Sequence, residues 1–273
     1  MAPDLPLRLR IQFAVTRAVT ALLRRLGLRQ TVIELRSGAQ RARRRTFERV
    51  GSPRYSRPAL HGMDVELDRI IGRERGFFLE AGGFDGFTQS NTYYLERFRA
   101  WRGILVEPMP ELAALARRNR PHAQVLRYAL VGPDHAGDSV EMEFGDLMTS
   151  VSGVHDRNWS AGGLVLGWRD HRTERVPART LSSVLDDAGS PEVDLLSLDV
   201  EGYEATALSG LDLTRHTPAW ILVEMHDLVT GRQAIGAVLG DRYAEHVQLS
   251  PLDVLYRRRG SPPGGQQLSE LAR

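Results

Sequence analysis

The chain has no cysteine among its 273 residues. That excludes disulfide frameworks, thiolate-held zinc, iron–sulfur clusters and thiol nucleophiles. Lysine is missing too: all 36 basic residues are arginine, and asparagine occurs only three times. This usage reads as coding bias of a GC-rich bacterial genome. Long apolar runs are also absent near the N-terminus. The longest uncharged stretches there, Ile11–Thr16 and Ala18–Leu23, are six residues each, far short of the ~20 needed to span a bilayer.

What is present suits a folded enzyme. Hydrophobic residues make up 42% and charged residues 26%, enough apolar material for a core and too much for disorder throughout. The length fits one enzyme-sized domain with decorations. Charge is distributed unevenly. Residues 1–50 hold twelve arginines against Asp4, Glu34 and Glu48, a net +9, and the remainder is net −7. No basic stripe falls on the folded body, so a nucleic-acid partner is not expected.

Within the basic arm, Ile11, Val15, Ala18, Leu22 and Leu26 recur at helical spacing, with Arg10, Arg17 and Arg24 on another face. An amphipathic helix over residues 7–28 is expected. It either lies on an anionic membrane surface or packs on the body or a second subunit. Arg17 interrupts any signal-peptide core, so no cleaved export signal is expected and the location reads as cytoplasmic, with peripheral contact at the inner membrane face as an option. The domain plan is an arm and linker over 1–58, an α/β domain over 59–259 with a substrate-pocket insertion at 146–175, and a mobile tail over 260–273.

Strands are expected at Phe77–Ala81, Gly103–Glu107, Ala123–Arg127, Val140–Phe144, Asp194–Asp199, Ala219–Glu224, Glu245–Leu249 and Val254–Arg257, and helices at Gln89–Phe98, Pro110–Arg120 and Leu181–Ala188. Alternating strands and helices imply an α/β fold with a mostly parallel sheet covered on both faces. Ligands of such sheets sit beyond the carboxyl ends of the strands. The first strand runs into the glycine turn Gly82-Gly83-Phe84-Asp85-Gly86. A dinucleotide fingerprint fails here, because Phe84 and Phe87 stand where glycines are required. Asp85 would also oppose phosphates, whereas a phosphate-free ligand carrying an ammonium group would be favoured. S-adenosyl-L-methionine is such a ligand. Glu107, ending the second strand, is placed to accept both hydroxyls of a ribose.

Two later strands end in acids. Asp199 and Glu201 follow the strand from Asp194, where each faces the cleft or caps the next helix. Glu224 and His226 share one side of their strand by alternation, and His226 is a candidate general base or a surface histidine.

The segments Phe78–Gly86, Ser90–Glu96, Gly103–Pro108 and Leu198–Glu204 together resemble the FkbM-type family of S-adenosylmethionine-dependent methyltransferases. The resemblance implies a class I methyltransferase fold, a Rossmann-like sheet of seven strands with the last antiparallel. It implies S-adenosyl-L-methionine as cofactor and a hydroxyl of a sugar, glycolipid or secondary metabolite as acceptor. It assigns Glu80, Gly82, Gly83, Asp85, Gly86 and Asn91 to the cofactor loop, Glu107 to the ribose, Asp199 and Glu201 to the post-strand acids, and Ser150 of a Met-Thr-Ser element to the cofactor's vicinity. Phe84 and Tyr128 depart from the family pattern, where a polar residue and Asn are usual. His226 or Asp199 is expected as the base. A divalent cation held by Asp199, Glu201, Glu224 and His226 is the alternative, and no metal is expected. Trp159, Trp168, His155 and His171 fall in the insertion. An NAD-dependent oxidoreductase or epimerase, and a non-catalytic module tethered by the arm, are the competing functions.

Overall fold

The computed structural model describes residues 29–144, 150–151 and 172–261. The expected helix over 7–28, the insertion residues Met148, Thr149, His155, Trp159, Trp168 and His171, and nearly all of the 260–273 tail lie outside them. By its internal contacts the chain divides into two units, residues 1–55 and 56–273. In the first unit, α1 (Arg29–Arg49) is a helix of 21 residues and Tyr55 packs edge-on to Phe47.

The second unit opens with a single 3-10 turn (Leu60–Gly62) and α2 (Met63–Ile71). There follow β1 (Phe77–Ala81), α3 (Tyr93–Phe98), β2 (Arg102–Val106), α4 (Pro110–Asn119), β3 (Ala123–Leu126), β4 (Ala129–Leu130), β5 (Ser139–Phe144), β6 (Ser150–Val151) and β7 (Arg172–Arg179). The chain continues through α5 (Leu181–Asp187), β8 (Leu195–Leu198), α6 (Glu204–Ser209), β9 (Trp220–Glu224), α7 (Leu228–Leu239), β10 (Tyr243–Gln248) and β11 (Asp253–Arg258). All eight expected strands are present, with ends shifted by one or two residues. Helix starts follow local chemistry. Pro110 opens α4, Thr180 accepts the Ser183 N–H ahead of α5, and Asp227 accepts those of Val229 and Thr230 ahead of α7.

Seven strands form one sheet in the order β10-β11-β9-β8-β1-β2-β3. Pairing is parallel from β3 to β9, and β11, last in the chain, runs antiparallel to both neighbours. The sheet is covered on both faces, so its central strands are apolar on both sides. Leu79, Ile104, Leu196, Ile221 and Val254 face one core, while Phe78, Leu105, Leu195, Leu222 and Leu255 face the other. Strand order reverses between β1 and β8, which places a ligand crevice at their carboxyl ends. A smaller sheet, β4-β7-β5-β6, stands beside it. The part of the expected insertion at residues 172–175 is therefore a strand, paired antiparallel with β5. Among the described residues no helix is long and apolar enough to cross a membrane.

Candidate active site

A cavity of about 950 Å³, counting its open mouth, lies at the carboxyl ends of β1, β2 and β8. Gly82 and Phe84 of the glycine turn after β1 line it. Gly82 has φ +82°, and a Cβ there would sit 1.8 Å from the backbone oxygen of Asp199. Only glycine allows the β1 and β8 ends to close on each other so tightly. Gly86, φ +76°, presses in the same way on Arg120 and Ala116. Beside Gly83, any Cβ would meet the Leu105 side chain at 2.9 Å. Three non-glycine residues of the cavity wall, Phe84, Gln89 and Glu201, also adopt left-handed backbone angles. Each costs about 1–3 kcal/mol, so the local structure must hold them there.

For Phe84 the holding group is Glu107. Its carboxylate accepts the Phe84 N–H at 2.9 Å and the Met109 N–H at 2.8 Å, tying the β1 turn to the end of β2. Burial pushes its pKa up to about 8, against the opposing effect of these two N–H donors and with a smaller push from Asp85. Glu107 lines the cavity.

Glu80 is committed to the protein itself. It accepts from Ser90 Oγ, the Asn91 N–H and Thr92 Oγ1, and pairs with Arg120 at 3.2 Å. Asp85 is turned back onto its own loop, accepting the N–H groups of Phe87 and Thr88 at 2.9 and 2.7 Å. Asn91 lines the cavity, donates to Ser197 Oγ at 3.2 Å, and leaves its own Oδ1 buried without a partner. The backbone of Ser150 lies in β6, and its side chain is outside the described residues.

Arg120 escaped the sequence reading. Its fully buried guanidinium meets Glu96 at 2.5 Å, Glu80 at 3.2 Å, Ser90 Oγ at 3.0 Å and Thr92 Oγ1 at 2.7 Å. The signal available in the sequence was weak: an Arg at a helix end, 40 residues from its partner Glu80.

At the other wall, β8 and β9 pair with Leu198 opposite Val223. The next residues, Asp199 and Glu224, thus lie side by side, and their carboxyls hydrogen-bond. Such a contact needs a proton, and burial together with Glu224 raises the Asp199 pKa well above the usual range. Glu201 lies 3.5 Å from His226 Nε2, and this contact raises the His226 pKa, with Glu224 and Glu204 adding to it. Glu204 caps the turn by accepting the Val200 and Gly202 N–H groups. Asp199 and Glu201 line the cavity, and His226 stands behind Glu201. Among the described residues, no three His, Asp or Glu side chains converge as a metal site requires. Tyr128, also on the wall, has the Arg179 guanidinium 5.5 Å from its ring centre.

Among solved structures the chain is similar to a TehB-like SAM-dependent methyltransferase from Corynebacterium glutamicum, at 14% identity over 83% of this chain and 100% of that one, with a TM-score of 0.39. It is similar also to precorrin-6y C5,15-methyltransferase from Geobacter metallireducens, at 12% identity over 72% and 86% with a TM-score of 0.42. A third is the O-methyltransferase from Bacillus cereus in complex with SAH, at 12% over 72% and 77% with a TM-score of 0.39. No curated protein sequence matches the chain significantly. The assignment is carried by a family model, the methyltransferase FkbM domain, which matches residues 80–254. That span begins at Glu80 near the end of β1, takes in all of β2 and β8, and ends in β11, so the chain belongs to the FkbM family of S-adenosylmethionine-dependent methyltransferases.

Proposed function

We propose that the enzyme transfers a methyl group to a hydroxyl of a sugar, glycolipid or secondary metabolite, with the cofactor seated in the crevice at the ends of β1, β2 and β8. The observation that carries the choice of acceptor is the Asp199 carboxyl at the cavity wall, backed by Glu224. A hydroxyl must lose its proton as the new bond forms, and a positioned base assists by roughly 10²–10⁴-fold. When bound, S-adenosylmethionine supplies an electrophilic methyl group and leaves as S-adenosylhomocysteine.

The chain's residues fit that cofactor. Glu107 is buried at the end of β2, where an ionised carboxylate accepts the ribose hydroxyls. The Gly82–Gly86 turn admits the ligand close to the main chain, and the partnerless Asn91 Oδ1 offers an acceptor to the ligand's ammonium. Glu80 and Asp85 act one step back, by shaping the loop. At the reacting end Asp199, with Glu224 beside it, receives the acceptor's proton. Incubating the full chain with S-adenosylmethionine and a panel of neutral sugars, glycolipids and hydroxylated metabolites should give acceptor-dependent S-adenosylhomocysteine and an O-methyl product. Methylation solely at nitrogen or carbon would overturn the acceptor class.

Glu107 also sets a pH dependence. With its pKa at about 8 in the free protein, ribose donors must favour the ionised form, so binding releases a proton below that pH. Affinity for S-adenosylhomocysteine should rise by up to tenfold per pH unit and level off above about 8. The Glu107→Gln variant should bind weakly at every pH, with the slope gone. A wild-type affinity flat across this range would sink the assignment.

A further inference from the structure

A basic surface stands on α1, in the first unit. Arg41, Arg45 and Arg49 are exposed and fall four residues apart. At 1.5 Å rise per residue they make one stripe with a charge every ~6 Å. None of the three has an ion-pair partner among the described residues. The single acid nearby, Glu48, pairs with Arg44 one turn back at 3.8 Å. Next to Arg49, Val50 is 76% exposed. Holding three like charges along one helix edge opposes helix formation by a few tenths of a kcal/mol per pair. A structural role does not call for them there.

We infer that this arginine stripe docks the enzyme on an anionic lipid bilayer, through headgroup phosphates. Two observations favour a bilayer over a nucleic acid. Among the described residues of the first unit no aromatic ring stands open to a base, because the ring of Tyr55 is taken by the Arg43 guanidinium at 4.1 Å, Arg54 at 5.6 Å and Phe47 at 4.9 Å. Exposed Val50 offers apolar surface that suits a headgroup boundary and has no use on a phosphate backbone. The chain beyond residue 50 is net negative, so attraction to phosphates is confined to the arm.

The test is co-sedimentation of the full chain with vesicles of phosphatidylcholine alone or with phosphatidylglycerol added, at low and high salt. Wild type should pellet only with the anionic vesicles, and salt should release it, since exposed charges are screened. The triple variant Arg41→Glu, Arg45→Glu, Arg49→Glu should lose binding by a hundredfold or more, given about 1 kcal/mol per arginine at such a surface before reversal. Its affinity for S-adenosylhomocysteine should stay within a few fold, which verifies that it is folded. A triple Arg→Gln variant should give an intermediate loss. Wild type remaining in the supernatant at low salt, a triple variant that pellets like wild type, or displacement from vesicles by RNA at lower concentration than by free anionic lipid would each overturn the inference.

Discussion

Replacing Asp199 with asparagine is expected to lower turnover by roughly 10²–10⁴-fold and to leave S-adenosylhomocysteine affinity within a few fold. Asparagine keeps the shape of the wall and still donates a hydrogen bond to Glu224, so the cofactor's surroundings barely change. What disappears is a carboxyl able to take the acceptor's proton. The sign of the pH effect follows from the raised Asp199 pKa. Activity in the wild type should climb with pH as the pair loses its proton, and the variant should lack that limb. His226→Ala, one residue removed from the cavity behind Glu201, should cost less. Full turnover by the Asp199 variant on the true acceptor would show that the base lies elsewhere.

Arg120→Met should be the most destabilising single change, by about 3–5 kcal/mol. The guanidinium is fully buried between two buried acids, Glu80 and Glu96. Removing it strands both charges in the core and releases Ser90 and Thr92, which hold the cofactor loop. For a domain of this size that corresponds to a melting shift on the order of 10 °C. Adding Glu96→Gln should recover part of the loss, because one stranded charge becomes neutral. Thermal and urea unfolding would measure both. An Arg120→Met protein as stable as wild type would show that the buried pairs do not hold the loop.

How much of this was readable beforehand depended on range. The strands were legible because two-sided burial writes them as apolar runs such as Phe77–Ala81 and Leu195–Leu198. Glu107 was legible because its place at the end of the second strand is fixed by topology. The pairing of Asp199 with Glu224 needed the β8–β9 register, which no single segment carries. Arg120 reaches back to the β1 loop across 40 residues, a distance at which local pattern is silent. The inward turn of Asp85 was not legible: short carboxylates compete for nearby backbone N–H groups, and its carboxylate accepts those of Phe87 and Thr88. Strand β7, whose first four residues fall in what read as an insertion, was hidden because Arg172–Arg179 is rich in charge and contains Pro177.

The central claim is that the crevice between β1 and β8 is an S-adenosylmethionine site anchored by Glu107. Isothermal calorimetry of the full chain with S-adenosylhomocysteine tests it most directly, with NAD as the comparison ligand and Glu107→Ala as the comparison protein. Wild type should show saturable one-site binding, the variant a loss of tenfold or more, and NAD should give no heat. Saturable NAD binding with none for S-adenosylhomocysteine, or a Glu107→Ala variant that binds S-adenosylhomocysteine as tightly as wild type, would contradict it.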